Sequence, residues 1–274
     1  MFKNNYYCLI AGLPDLIADD NKVPFMISDF REELLLYLSK GDLKLIDLFF
    51  LQEDNKTLLS LLHKGEAELS IVANFSPSYI EERLKEPKDL PSYMIEFINN
   101  NQSEKKKYDV SDENELTWMF FDYARKSKSK FIRDFFTFEM NLRNLTTALN
   151  CRKYDRELQK EIIGNNKFAE ALRTSKLKDF GLSDDFPFVE RVLSFFDNPA
   201  MIEKEKQLDL LRWDFLDEKT TFEYFSIDKV LSFLIRLLLI ERWSKLDTES
   251  GKKVFNGLIT RLRNSLEFSK EFAI

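Results

Sequence analysis

Apolar residues along this chain recur mostly at steps of three and four, the spacing that lines one face of an α-helix. The clearest case is Phe131, Phe135, Phe138, Leu142, Leu145 and Leu149. It predicts a long helix with a wide stripe turned toward a core. Phe30, Leu34, Tyr37 and Leu38 repeat the pattern earlier, opened by Asp29 and Glu32 at capping-box spacing. Gly41-Asp42 restarts it, and Leu45, Leu48, Phe49, Leu58, Leu61 and Leu62 predict another helix, with a bend expected near Glu53-Asp54-Asn55. Ser76-Pro77 supplies a cap and a first-turn proline for a helix that must stop before Pro87.

The remaining punctuation is equally local. Gly12-Leu13-Pro14-Asp15 marks a break after Tyr6, and Gly164-Asn165-Asn166 is expected to end the Phe131 region. Leu182 to Pro187 opens a helix through Phe196, Leu208 to Phe215 reads as helical, and Ile227, Leu231, Leu234, Leu238 and Trp243 share a face of a long helix. A final helix is expected from Gly251 to the C-terminus. The longest alternating stretch, Glu66 to Val72, fits a helix turn or a short edge strand. Residues 99–115 form a polar run that reads as a linker or exposed loop. The fold class predicted is all-α, a multi-helix bundle. Its expected parts are an N-terminal lobe (1–98), the polar linker (99–115), a central lobe (116–180) and a C-terminal lobe (181–274). Asp54, Asn141 and Asp228 lie 87 residues apart in each step, a weak internal repeat that would suit three related lobes.

Composition sharpens this reading. Phe occurs 26 times while Gly and Pro occur 7 times each, which favours long helices over a many-turned sheet. The formal charge of −6 argues against nucleic acid or an anionic membrane as partner. Cys8 and Cys151 lie far apart, as expected of reduced thiols in a cytoplasmic protein. The longest apolar run, Val230 to Ile240, is interrupted by Arg236 and is too short to cross a bilayer.

Candidate chemistry is sparse. There is no Gly-rich phosphate loop and no Cys-x-x-Cys, and His63 is the sole histidine, so a histidine-based triad would have to run through it. Adjacent carboxylates at Glu53-Asp54, Asp184-Asp185 and Asp217-Glu218 point about 100° apart on a helix and do not converge. No catalytic, cofactor or metal site is therefore expected. The densest basic segment, Arg125, Lys126, Lys128, Lys130 and Arg133, is a candidate contact for an acidic partner protein. Its neighbouring aromatics belong to the apolar stripe and would be unavailable to stack on bases.

The run from Phe138 to Arg152, through Glu139, Asn141, Leu142, Asn144, Leu145 and Leu149, resembles the recurring helix of the C-type subunit of V/A-type ATP synthases, with Asn141 and Asn150 where that family usually has Asp and Arg. The stretch from Phe222 through Asp228 to Arg242 and Trp243 is similar to a bacterial family of unassigned function that accompanies V-type ATPase components. This resemblance implies a non-catalytic, three-part helical funnel linking the cytoplasmic central shaft of an ion-translocating ATPase to its membrane rotor ring. Its partners would be the shaft and the ring, and it would lie at the inner membrane through them. Glu139, Asn141, Asn144, Arg152, Asp228, Arg242 and Trp243 would then be structural motif residues. The alternatives are a free-standing helical adaptor or assembly factor and, from a third class, a carboxylate- or metal-dependent helical enzyme.

Overall fold

The computed structural model describes residues 4–18, 23–67, 69–103 and 106–244. Among them the protein is all-α, with eleven helices and no strand. In chain order these are α1 (Tyr7–Gly12), α2 (Ile27–Tyr37), α3 (Lys40–Leu62), α4 (Pro77–Lys85), α5 (Ser92–Gln102), α6 (Asp112–Ala124), α7 (Lys130–Lys153), α8 (Lys167–Thr174), α9 (Phe188–Phe196) and α10 (Met201–Thr220). An eleventh, α11, spans 227–244. No helix of the described residues is long and apolar enough to cross a membrane. The helix expected from Gly251 lies outside the described residues.

The chain divides into two compact units, Leu38–Glu223 and the two flanking segments, Met1–Tyr37 with Tyr224–Ile274. In the flanking unit α2 and α11 meet through an aromatic cluster in which Phe30 and Phe233 lie 5.1 Å apart, with Phe25 against both. The unit also carries a long-range cap. The carboxylate of Glu241, buried on α11, accepts from the Ile27 amide at 2.9 Å, where α2 begins. The helix therefore starts before the Asp29-Glu32 pair, because its first orphan donor is satisfied from a distant element.

In the larger unit α3 packs on α4 and α6, α5 on α6, α6 on α7, α7 on α8 and α9, and α9 on α10. The helix α7 is its spine. The whole stripe from Phe131 to Leu149 is buried, but so are Ile132, Phe136, Met140, Ala148 and Cys151 on other faces. More than half of its 24 residues are enclosed. Ser39, Ser76, Ser111, Ser129 and Asn166 cap α3, α4, α6, α7 and α8 by accepting a backbone N–H three residues on.

Three local expectations change. First, α3 runs unbroken through Glu53-Asp54-Asn55, because the polar pair is satisfied inside the core. Asp54 accepts from the amides of Asn74 and Phe75, each at 3.0 Å, and Asn55 accepts from the Tyr93 hydroxyl at 2.7 Å. Residues 66–67 and 69–72, ahead of that staple, form neither helix nor strand, and Leu69 and Ile71 are exposed. Second, Gly164-Asn165-Asn166 opens α8 rather than closing α7, which ends at Lys153 ahead of Asp155 in the left-handed region (φ 49°). Third, the polar run 99–115 buries more than its composition implies. Its ends belong to α5 and α6, and Asn114 and Glu115 are enclosed. Glu115 accepts from the Lys107 amide, while Asn114 accepts from Arg143 and donates to the Lys160 carbonyl.

Asn144 shows how the spine holds irregular chain. Its amide, wholly buried, donates to the Ile163 carbonyl at 2.7 Å and accepts from the Ile163 amide at 3.1 Å, so one side chain stands in for a strand partner. Replacing Asn144 by Ala should lower unfolding free energy by about 2–3 kcal/mol, since both backbone groups are left buried without partners. Chemical denaturation measures the loss, and hydrogen exchange at the Ile163 amide should accelerate selectively.

Candidate functional site

The larger unit carries a cleft of about 550 Å³ between α7, the 185–187 turn, α9 and α10. Its floor is aromatic. Phe138 stacks on Phe215 at 4.6 Å and meets Phe188 edge-on at 5.3 Å, and Phe186 packs against Phe188 at 6.1 Å. These rings face the cleft because α7 presents Phe138 at the edge of its stripe, while Pro187 turns the chain so that Phe186 and Phe188 flank the start of α9.

The rim is charged and unbalanced. Asp134, Asp185, Asp214 and Glu218 line it against two cations, Arg191 and Lys219. Arg191 donates to Asp214 at 2.6 Å, and Lys219 lies 3.3 Å from Glu218 and 3.9 Å from Asp134. Lys219 also sits 5.3 Å above the Phe215 ring, so an internal ammonium already uses one face of the floor. Asp185 is exposed and has no cationic partner among the described residues. The arrangement offers phenyl faces for apolar or cationic groups beneath a net-negative rim. Among the described residues no group of acids, histidine or cysteine stands close enough to hold a metal ion.

A partly enclosed ion triad bridges α7 and α10. Arg212 on α10 donates to both oxygens of Glu139 at 2.8 and 3.1 Å and to Asp209 at 2.9 Å. Burial alone would lower its guanidinium, but the two carboxylates hold it above its ordinary value. Sequence reading named Glu139 but missed Arg212 and Asp209, because the pairing spans elements far apart in the chain. Asn141, Asp185 and Glu218 were also named from the sequence, but that they line one cleft was not legible there, because the elements that carry them are far apart in the chain.

The other motif residues of α7 serve the chain itself. Asn141 accepts from the Asn166 side chain at 3.0 Å, steadying the cap of α8. Arg152 donates to the carbonyls of Ser175 and Leu177, each at 2.7 Å, and lies 3.5 Å over Phe180, which adopts φ 60°. Asp228 stands in the first turn of α11, and Arg242 lies over the Trp243 ring at 5.6 Å near the end of its described part.

The cations of the basic segment differ in their contacts within the chain. Arg133 turns back to cap the carbonyls of Ser127 and Lys128 at 2.8 and 2.9 Å, and Arg125 pairs with Asp122 and touches the Met140 sulfur. Lys126, Lys128 and Lys130 are exposed. His63 is exposed as well, with Nε2 3.2 Å from Asp112, whose other oxygen meets Lys106 at 2.7 Å. The Lys106 ammonium first, and His63 after it, hold the Asp112 carboxyl below its ordinary value.

A family model described as "Protein of unknown function (DUF2764)" matches residues 3–266. A protein of Chlamydia muridarum (strain MoPn / Nigg), named only as uncharacterized, is 25% identical over 147 residues, 52% of this chain and 54% of that protein. The chain thus spans about half the length of the curated relative it matches. No solved structure matches. These findings overturn the resemblance to the C-type subunit family of V/A-type ATP synthases, to which neither match points. The α7 pattern misleads because Glu139, Asn144 and Arg152 meet intrachain needs, a cross-helix ion pair and two backbone clamps, that any enclosed helix bordered by irregular chain can impose.

Replacing Arg212 by Met would leave Glu139 and Asp209 enclosed without their cation, and a loss of about 3 kcal/mol near neutral pH is expected. The deficit should shrink in acid, where both carboxyls are neutralised, and urea titrations at several pH values test this. Asp112 supplies a second expectation. Its folded carboxyl lies below the unfolded value, so its stabilisation is present above the ordinary carboxylate range and fades as pH falls through the folded value. Asp112→Asn should remove that acid-side slope while costing under about 1 kcal/mol at neutral pH, the scale of a partly exposed pair.

Proposed function

Because the chain belongs to the DUF2764 family, whose description carries no activity, we propose a function from its own geometry: a helical adaptor that grips a basic, apolar-tipped segment of a partner protein in the α7–α9–α10 cleft. The observation carrying this reading is the pairing of an aromatic floor with a rim of four carboxylates against two cations. Lysine or arginine side chains of a partner helix would find the unpaired Asp185 and the net-negative rim, and their stems or neighbouring apolar residues would cover the phenyl faces. Size supports a segment rather than a whole surface, since about 550 Å³ accommodates a few side chains. The enclosed spine of α7 and the Glu139–Arg212 pair make the walls stiff, so docking would cost little ordering of the receptor.

The working role is therefore assembly by contact, with specificity set by the charge of the rim. Nothing in this reading requires a bond to be made or broken by the protein.

Purified full-length protein and an Asp185→Lys, Glu218→Lys variant would be used in parallel as affinity baits, with captured proteins identified by mass spectrometry. Partners bearing a basic amphipathic segment should be recovered by the parent protein and lost by the variant. A synthetic peptide of that segment should bind with affinity falling at least tenfold between low and physiological salt. Equal recovery on both baits, or binding indifferent to salt, would defeat the proposal.

A further inference from the structure

Lys219 stands in the α7–α9–α10 cleft as a cation supplied by the protein itself. It belongs to the last turn of α10, one turn beyond Phe215, and its ammonium lies 5.3 Å from the centre of that ring. Beside it are Glu218 at 3.3 Å and Asp134 of α7 at 3.9 Å. Both contacts are long. Lys56, Lys106 and Lys107 of the same unit approach carboxylates to 2.6, 2.7 and 2.9 Å, so the spacing at Lys219 follows from its place over the ring and not from the nature of an ammonium. Guanidinium groups of the unit also engage more closely. Arg212 grips both oxygens of Glu139 at 2.8 and 3.1 Å, and Arg191 meets Asp214 at 2.6 Å.

A side chain with two carboxylates and a phenyl face at hand, yet no short bond to either acid, fills a cation position loosely. An incoming lysine gains little there, because it exchanges one ammonium for another. An arginine gains more, since its planar fork can bond carboxylates with several N–H groups while its flat face lies on the ring. We propose, resting on the docking reading above, that Lys219 is an internal competitor for the cleft, displaced by the partner, and that the exchange selects a partner segment anchored by arginine over one anchored by lysine. The displaced ammonium has water close by, its side chain being 33% exposed already. Asp185 attracts either cation, so it adds affinity without selecting between them.

The probes are two short amphipathic synthetic peptides, identical except that one carries arginine and the other lysine at every basic position. Each is titrated by calorimetry into the full-length protein and its Lys219→Gln and Lys219→Arg variants. The parent should bind the arginine peptide about tenfold more tightly, the scale of one added bond to a charged group. Lys219→Gln should tighten both peptides by about fivefold or more, because nothing has to be displaced. Lys219→Arg keeps the net charge but installs a better-fitting competitor, so it should weaken both, an effect that general attraction to an acidic rim would not produce. Thermal melting without peptide checks each fold, and the conservative Lys219→Arg keeps the test decisive should Lys219→Gln melt early. Equal affinity of the parent for the two peptides, or Lys219→Arg binding both as the parent does, would overturn the assignment while leaving the docking reading in place. Binding of neither peptide to Lys219→Gln would end both.

Discussion

A polar group enclosed within an apolar helix must find a partner, and the larger unit is organised by that requirement. Along α7, Asn144 takes both backbone groups of Ile163, Asn141 takes the side chain that caps α8, and Glu139 takes Arg212 from α10. The two asparagines tie chain at the entry to α8 to this helix, and the Glu139 pair ties α10 to it. The phenylalanine packing supplies the larger driving force, but it is non-directional. The polar clamps decide which segment lies where.

The same device appears on α3. Asp54, enclosed near the middle of a 23-residue helix, holds the approach to α4 as Asn141, within a 24-residue helix, holds the approach to α8. In both cases a long helix is followed by a short one entered through a clamped, capped turn. Asp54 and Asn141, 87 residues apart, thus have similar local roles. Asp228 departs from them, since it stands in the first turn of α11 rather than within a helix.

These clamps also shape the cleft. Asn141 lines it while steadying α8, and Glu139 fixes α10 against α7 on the side where Phe215 meets Phe138. Phe186, Phe188 and Phe215 are only half-buried along this cleft, a cost that the enclosed core elsewhere offsets. The charged rim keeps that apolar floor from becoming a non-specific patch, because a purely apolar partner would strand the carboxylates away from water.

What the sequence determined by itself was periodic and local. Apolar spacing located α3, α7 and α11, serine and proline placed the start of α4, and Pro187 the start of α9. Helix formation depends on neighbours within a few residues, so such signals survive without knowledge of the fold. Only tertiary structure decided what the polar residues do. It turned Arg133 from a surface cation into a cap, drew Asn114 and Glu115 into enclosed staples, and gave Asp54 an amide pair twenty residues away. It also brought four phenylalanines and four acids from three helices and a turn around one cleft. A side chain's charge and size are written in the sequence, but its partner is fixed by which distant segment packs beside it. That choice is made by the burial of the whole chain at once.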